Sequence, residues 1–308
     1  MVRILISVFA VAGLSFAQQT VVSSGTFDVN GRRVEGASSL VNQAPGSAER
    51  IETVRSVNGR NVPVESVEDK IVSDIGGVKI IERMVKLYDA NGRPGPPDKV
   101  HIEERKNADG SVNTATSVMR ADLNGNYALA ERTVTAAKKS GDTTNSNTVV
   151  ERPTVNGLLE VVERKEVVRR ETADGGMSQN SSVSRRDTNG RFGEAAKQVL
   201  EKTVSGGQTV ENVATYEVRS TGIQLIRQTV SKQVTGSNQK EVDVFESGQP
   251  GRVGDATPQL RERQIVEKTP TANGMVERIS VRRPLPSDPN RLGSAQKVEE
   301  IICTGQCK

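Results

Sequence analysis

The 308-residue chain has no Trp, only three Tyr and five Phe, one His and two Cys. Hydrophobic residues make up 34% of it, against roughly 45–50% in ordinary domains on a count that includes Gly. A thick core of large apolar side chains is therefore not expected. So few aromatics also argue against carbohydrate platforms, and against the lipid-facing girdles of an outer-membrane barrel. One His and two distant Cys leave too few soft ligands for a metal site. There is no Gly-x-Ser-x-Gly elbow, no phosphate-binding Gly-rich loop and no dinucleotide fingerprint, so no catalytic or cofactor residue can be nominated.

Charge is plentiful but balanced, with 42 Lys and Arg against 38 Asp and Glu. The signs mix locally, as in Glu160-Val161-Val162-Glu163-Arg164-Lys165-Glu166. Nucleic acid calls for a one-signed patch, so it is not expected as a partner.

The N-terminus has the pattern of an export signal. Met1-Val2-Arg3 is positive, Ile4 to Leu14 is almost wholly apolar, and small residues flank the end of the run at Ser15-Phe16-Ala17. Residues 1–17 are read as a signal peptide, which makes the product periplasmic or extracellular. The run is shorter than the ~20 residues that span a bilayer as a helix. No later stretch is more apolar, so no integral membrane segment is expected after cleavage. An oxidising compartment also favours a small-loop disulfide between Cys303 and Cys307.

An internal period is the strongest feature of the chain. Asn-Gly pairs fall at 30–31, 58–59, 91–92, 124–125, 156–157 and 189–190, and Thr221-Gly222 continues the series. From Asn58 the steps are 33, 33, 32, 33 and 32 residues. A second series lies between them: Gly76-Gly77, Asp109-Gly110, Gly141-Asp142, Asp174-Gly175-Gly176, Gly206-Gly207 and Gly236-Ser237. Asn-Gly and Asp-Gly suit two-residue type I′ turns, and the Val/Thr/Ile-rich segments between them read as strands. The expected fold is all-β: an antiparallel meander of about seven to eight hairpin repeats with a period of 32–33 residues.

From Val78, one strand face reads Val78, Ile80, Glu82, Met84, Lys86 and the other Lys79, Ile81, Arg83, Val85, Leu87. Neither is cleanly apolar, so an extended, largely single-layer sheet or open array is expected. Four segments follow: the signal at 1–17, a polar stretch with a degenerate repeat at 18–50, the array at 51–245, and irregular repeats with loop insertions at 246–308.

Asp28, Asp89, Asp122 and Asp187 precede turns. Each is expected to hydrogen-bond its own turn rather than hold Ca²⁺, since no twelve-residue loop with a terminal Glu is present. His101 alternates within Val100-His101-Ile102-Glu103-Glu104 and reads as a surface strand residue. Tyr88-Asp89-Ala90-Asn91-Gly92-Arg93 resembles the core of the YD repeat of Rhs-type secreted proteins. The likeness covers six residues, the period is longer than that family's, and it carries no function with it.

The functional expectation is a non-enzymatic, exported surface, envelope or matrix protein, with self-association or a protein or envelope component as partner. A periplasmic carrier or chaperone holding lipid or peptide along the sheet comes second, and an enzyme third.

Overall fold

A computed structural model describes residues 18–28, 30–43, 48–57, 60–187, 189–219, 222–247 and 258–305. The expected signal peptide, the Asn58-Gly59 turn, Thr221, most of the 246–260 loop, and Cys307 with its bridge to Cys303 lie outside those residues.

The glycine pairs set the turns, and they do so in two ways. At Gly76-Gly77 both residues have positive φ (63° and 80°), as they do at Gly206-Gly207 (59° and 73°). These are two-residue turns of the expected type I′. The Asn-Gly turns at 89–93, 122–126 and 154–158 differ, because each encloses three residues. Asp122 N donates to Asn126 O (2.8 Å) and Gly125 N to Asp122 O (3.0 Å), with Gly125 at φ 82°. Asp89–Arg93 and Asp187–Arg191 repeat the pattern. This is a type I turn closed by a left-handed Gly. The Asp carboxylate selects it: Asp122 Oδ1 accepts from the amides of Asn124 and Asn126, both at 2.8 Å. Asp28, Asp89 and Asp187 do the same.

Twenty strands result among the described residues. They are β1 (Gln18–Phe27), β2 (Arg33–Gln43), β3 (Ala48–Val57), β4 (Arg60–Ile75), β5 (Val78–Leu87), β6 (Asp98–Lys106) and β7 (Val112–Ala121). Next come β8 (Tyr127–Ser140), β9 (Thr143–Pro153), β10 (Leu159–Glu171), β11 (Met177–Arg186), β12 (Phe192–Ser205), β13 (Gln208–Arg219) and β14 (Gly222–Val234). The last are β15 (Gln239–Glu246), β16 (Gln259–Thr271), β17 (Gly274–Arg282), the short hairpin β18 (Pro284–Leu285) and β19 (Asp288–Leu292), and β20 (Gln296–Thr304).

From β1 to β17 each strand pairs antiparallel with the next, and β17 then pairs with β20. The meander does not stay open. Residues 21–26 of β1 pair with 299–304 of β20, with Val21 opposite Thr304 and Thr26 opposite Glu299. Eighteen strands therefore close into a barrel. The expectation of an open, single-layer sheet is corrected: joining the first and last strands satisfies two rows of backbone groups that an open array would leave bare.

Both described ends of the chain lie at the end of the barrel with the glycine-pair turns. The Asn-Gly end carries the longer connections at 88–97, 247–258 and 283–295. Just below that end the register shifts by one residue in eight of its nine strand pairs, for example at Val161/Glu163 and Val244/Phe245. Such bulges add twist and curvature, which a closing sheet requires.

Candidate functional site

Residues opposite each other across a strand pair share a face, so the register assigns every barrel residue to one of two faces. One carries a mid-height belt of Val, Thr, Ser and Ile. It includes Val22, Thr53, Val100, Thr116, Thr135, Thr148, Ser181, Val213, Ser231, Val244 and Val281. The other carries charge at mid-height, as in Lys70–Glu82, Glu68–Met84 and Asp243–Arg263.

Exposure tells the two faces apart in space. Three of the four buried apolar residues (Val100, Val244, Val281) and three of the four buried serines (Ser39, Ser181, Ser231) are on the belt face. Side chains converge on the concave side of a cylinder and splay on the convex side, so the belt lines the lumen and the charged face points outward.

Above the belt, towards the Asn-Gly end, the lumen bears a collar of ion pairs that repeats with the chain's period. Arg120 Nε lies 3.2 Å from Asp98, Arg152 Nη2 2.9 Å from Glu131, and Arg185 Nε 2.8 Å from Glu163. At the same level the β18–β19 hairpin leans over the luminal wall. Arg283 Nε is 3.7 Å from Glu262, and a cavity of about 600 Å³ opens between Arg227, Val244, Glu246, Glu262 and Pro284–Pro286. The mouth is thus charged and partly covered, whereas the belt below is mostly uncharged; among its charged members are the Asp69–Arg83 pair (2.6 Å), Glu49 opposite Asp69, Glu65 opposite Thr53, Glu211 opposite Ser231, and Lys165.

The outward face has its own order. Phe27, Tyr88, Tyr127, Phe192, Tyr216 and Phe245 are all the aromatics beyond residue 17, and all six lie on this face within a few residues of the Asn-Gly end. Each is half-buried. Lys99 Nζ stands 3.9 Å from the Tyr127 ring centroid, and the Arg164 guanidinium 4.4 Å from that of Phe192. The Tyr127 hydroxyl donates to Pro97 O at 3.0 Å. Counting aromatics over the whole chain missed this rim, because its signal is position, each ring standing just before or just after a periodic turn.

Among the residues singled out in the sequence, His101 is on the outward face with Nδ1 2.6 Å from Glu82 Oε1. Cys303 is on the luminal face of β20, opposite Met275. In the turns, the Asp122 carboxyl is held below its ordinary range by the Asn126 amide, and the Asp174 carboxyl by the Thr172 hydroxyl. Asp109 is lowered further by the Lys138 ammonium and by Ser111. Among the described residues no cluster of three or more His, Cys, Asp or Glu is placed to hold a metal ion.

No protein-family model matches the chain, and no curated protein is similar to it in sequence. Its fold is similar to that of the outer membrane protein opdK from Pseudomonas aeruginosa. The two share 11% identity at a TM-score of 0.55, over 94% of this chain and 98% of that one. A bacterial polysaccharide outer membrane secretin matches over the same shares at 7% identity, with a TM-score of 0.37 that is too low to bear on the reading.

The likeness and the closure overturn two expectations. A scaffold acting through an open sheet face, and a soluble periplasmic carrier holding lipid or peptide along the sheet, both give way to a closed barrel. Among the described residues no barrel strand has a free edge. The exclusion of an integral membrane segment rested on apolar runs, and an outer-membrane barrel crosses with strands instead.

Proposed function

We propose that the protein is a porin-type passage of the cell envelope, a hollow barrel that conducts small, neutral, polar solutes. The observation that carries this reading is the closure of β1 onto β20 around an open lumen, since barrels of sixteen to eighteen strands leave an aqueous channel. An even number of barrel strands, both described ends at one rim and longer connections at the other support it. The solute class follows from the lining: Thr and Ser offer hydroxyls between Val methyl groups and few charges, behind a collar whose charges are already paired. The role is non-enzymatic, and the 1–17 signal accounts for export.

The wall meets its surroundings in an unusual way. Outer-membrane barrels present an apolar band to lipid; here outward apolar residues at mid-height, such as Val134, Val149, Val199, Ala214, Val230 and Ile265, are interspersed with charges that pair across strands, as in Asp243–Arg263 and Arg278–Glu300. Pairing offsets part of the roughly 2–4 kcal/mol that an unpaired Arg or Lys costs at a bilayer midplane.

The test is refolding of the chain from Gln18 onwards into phospholipid vesicles, followed by liposome swelling. Faster swelling with small neutral sugars than with salts of the same size supports the passage. Protein that stays in the aqueous phase, or vesicles that swell no faster than empty ones, overturns it.

A further inference from the structure

We infer that the aromatic rim at the Asn-Gly end is a docking surface for the interfacial layer of an anionic phospholipid bilayer. The inference deepens the passage reading by naming which part of the outer wall meets lipid, and it rests on that reading only for the barrel's place in the envelope.

Three observations converge. The first is confinement: five aromatics on five strands, with Tyr88 one residue past β5, share one face and one height, although the strands between them carry none. Rings with an apolar body and a polar edge gather where hydrocarbon meets water. The second is continuity. At the same height and on the same face, Leu129, Leu159, Leu225 and Leu260 fill positions between the rings, with Leu225 opposite Tyr216 and Leu260 opposite Phe245. Leu159 is 39% exposed, so the band is not covered from within the chain.

The third observation is charge. Arg33 is opposite Phe27, Arg186 opposite Phe192 and Lys197 opposite Tyr216, while Lys99 and Arg164 lie over rings. Arg33 already engages the acids beside it, Glu300 at 3.2 Å and Glu35 at 3.9 Å. Rings backed by cations suit lipid phosphate, with the rings entering the acyl boundary and the cations remaining at the headgroups. The band is only one or two residues deep along each strand, enough for an interfacial layer but not for a whole hydrocarbon core.

Because the chain contains no Trp, single-Trp variants report position directly. Phe192→Trp and Phe245→Trp sit in the rim, and Gln179→Trp is on the luminal face near the opposite end. Each is mixed with vesicles of phosphatidylglycerol and phosphatidylcholine brominated high on the acyl chain, after circular dichroism has shown an unchanged β spectrum. The expected result is a blue shift and loss of fluorescence at positions 192 and 245, weakened by added salt, with position 179 unaffected. Unquenched rim positions, or equal quenching at 179, overturn the inference.

Phe245→Trp stands in if the variant at 192 fails to fold. Swelling measured on the same vesicles separates the two readings. Swelling without rim quenching leaves the passage and removes the docking surface, and rim quenching without swelling does the reverse.

Discussion

Val21 lies directly opposite Thr304, pairing the first strand with the last across 283 positions of sequence. Every other pairing in the barrel joins strands that follow one another along the chain or flank the short β18–β19 hairpin. The ring thus has one long-range seam.

That seam predicts the effect of a single proline. Ile301 is in the middle of β20, opposite Ser24 on one side and Glu277 on the other. Ile301→Pro removes a ladder donor from a strand with neighbours on both sides. The expected cost is about 1–3 kcal/mol from the partner left unsatisfied. Thermal unfolding followed by circular dichroism, with and without the change, measures it.

The turn glycines separate backbone strain from crowding. Gly125 has φ 82° and open space within 4 Å of where a Cβ would stand, and Gly193 is equally open but lies in a strand without a positive φ. Gly125→Ala should destabilise by about 1–2 kcal/mol, the cost of the left-handed region for a residue with a Cβ. Gly193→Ala should be neutral or slightly stabilising in the same melt.

Acid should loosen the Asn-Gly turns. The Asp122 carboxyl titrates below its ordinary range because the Asn126 amide donates to its charged form. A carboxyl lowered in the folded state stabilises fully above its unfolded value, and that contribution is lost as pH falls through the folded one. The Asn124 and Asn126 amide resonances should therefore shift only below the usual carboxylate range, and Asp122→Ala should abolish the transition. An Asn126 resonance that moves at the unperturbed Asp value of about 3.9 would contradict this account.

The outward ion pairs predict an asymmetry. Arg263 grips Asp243 through two hydrogen bonds, 2.6 and 2.9 Å long, and the Asp243 side chain is 14% exposed. Asp243→Ala strands a half-buried guanidinium and should cost more than the double change Asp243→Ala with Arg263→Leu. A double-mutant cycle on urea midpoints measures the difference.

Much of the fold was legible because its signals are local. A glycine pair or an Asp-x-Asn-Gly turn fixes its own hairpin, so the period gave the antiparallel meander and the order of its hairpins. The two faces were hidden by the bulges. Val161 and Arg164 share the outward face although they are three positions apart, an offset that alternation would put on opposite faces, because β10 slips between Val161 and Glu163. Simple alternation mixes belt and charged residues after each slip.

Closure was hidden for another reason. The Val, Ser, Ile and Glu of the β1–β20 seam are the residues of every other pairing, so nothing in them marks two strands as partners rather than edges. Among the candidate residues, the Asp turns were readable from spacing, whereas the collar needed the register. Asp98 and Arg120 are paired only because β6 and β7 bring them together.

A ring of like hairpins also has a size that can change in whole steps. Adding or losing one repeat inserts or removes two antiparallel strands, keeps their number even and leaves the terminal strands oriented to meet. Duplicating a single unit of 32–33 residues would widen the cylinder without a new turn or a new seam. Bore is thus a property that this gene can alter by copying itself in part, while the collar and the rim are copied along with the wall.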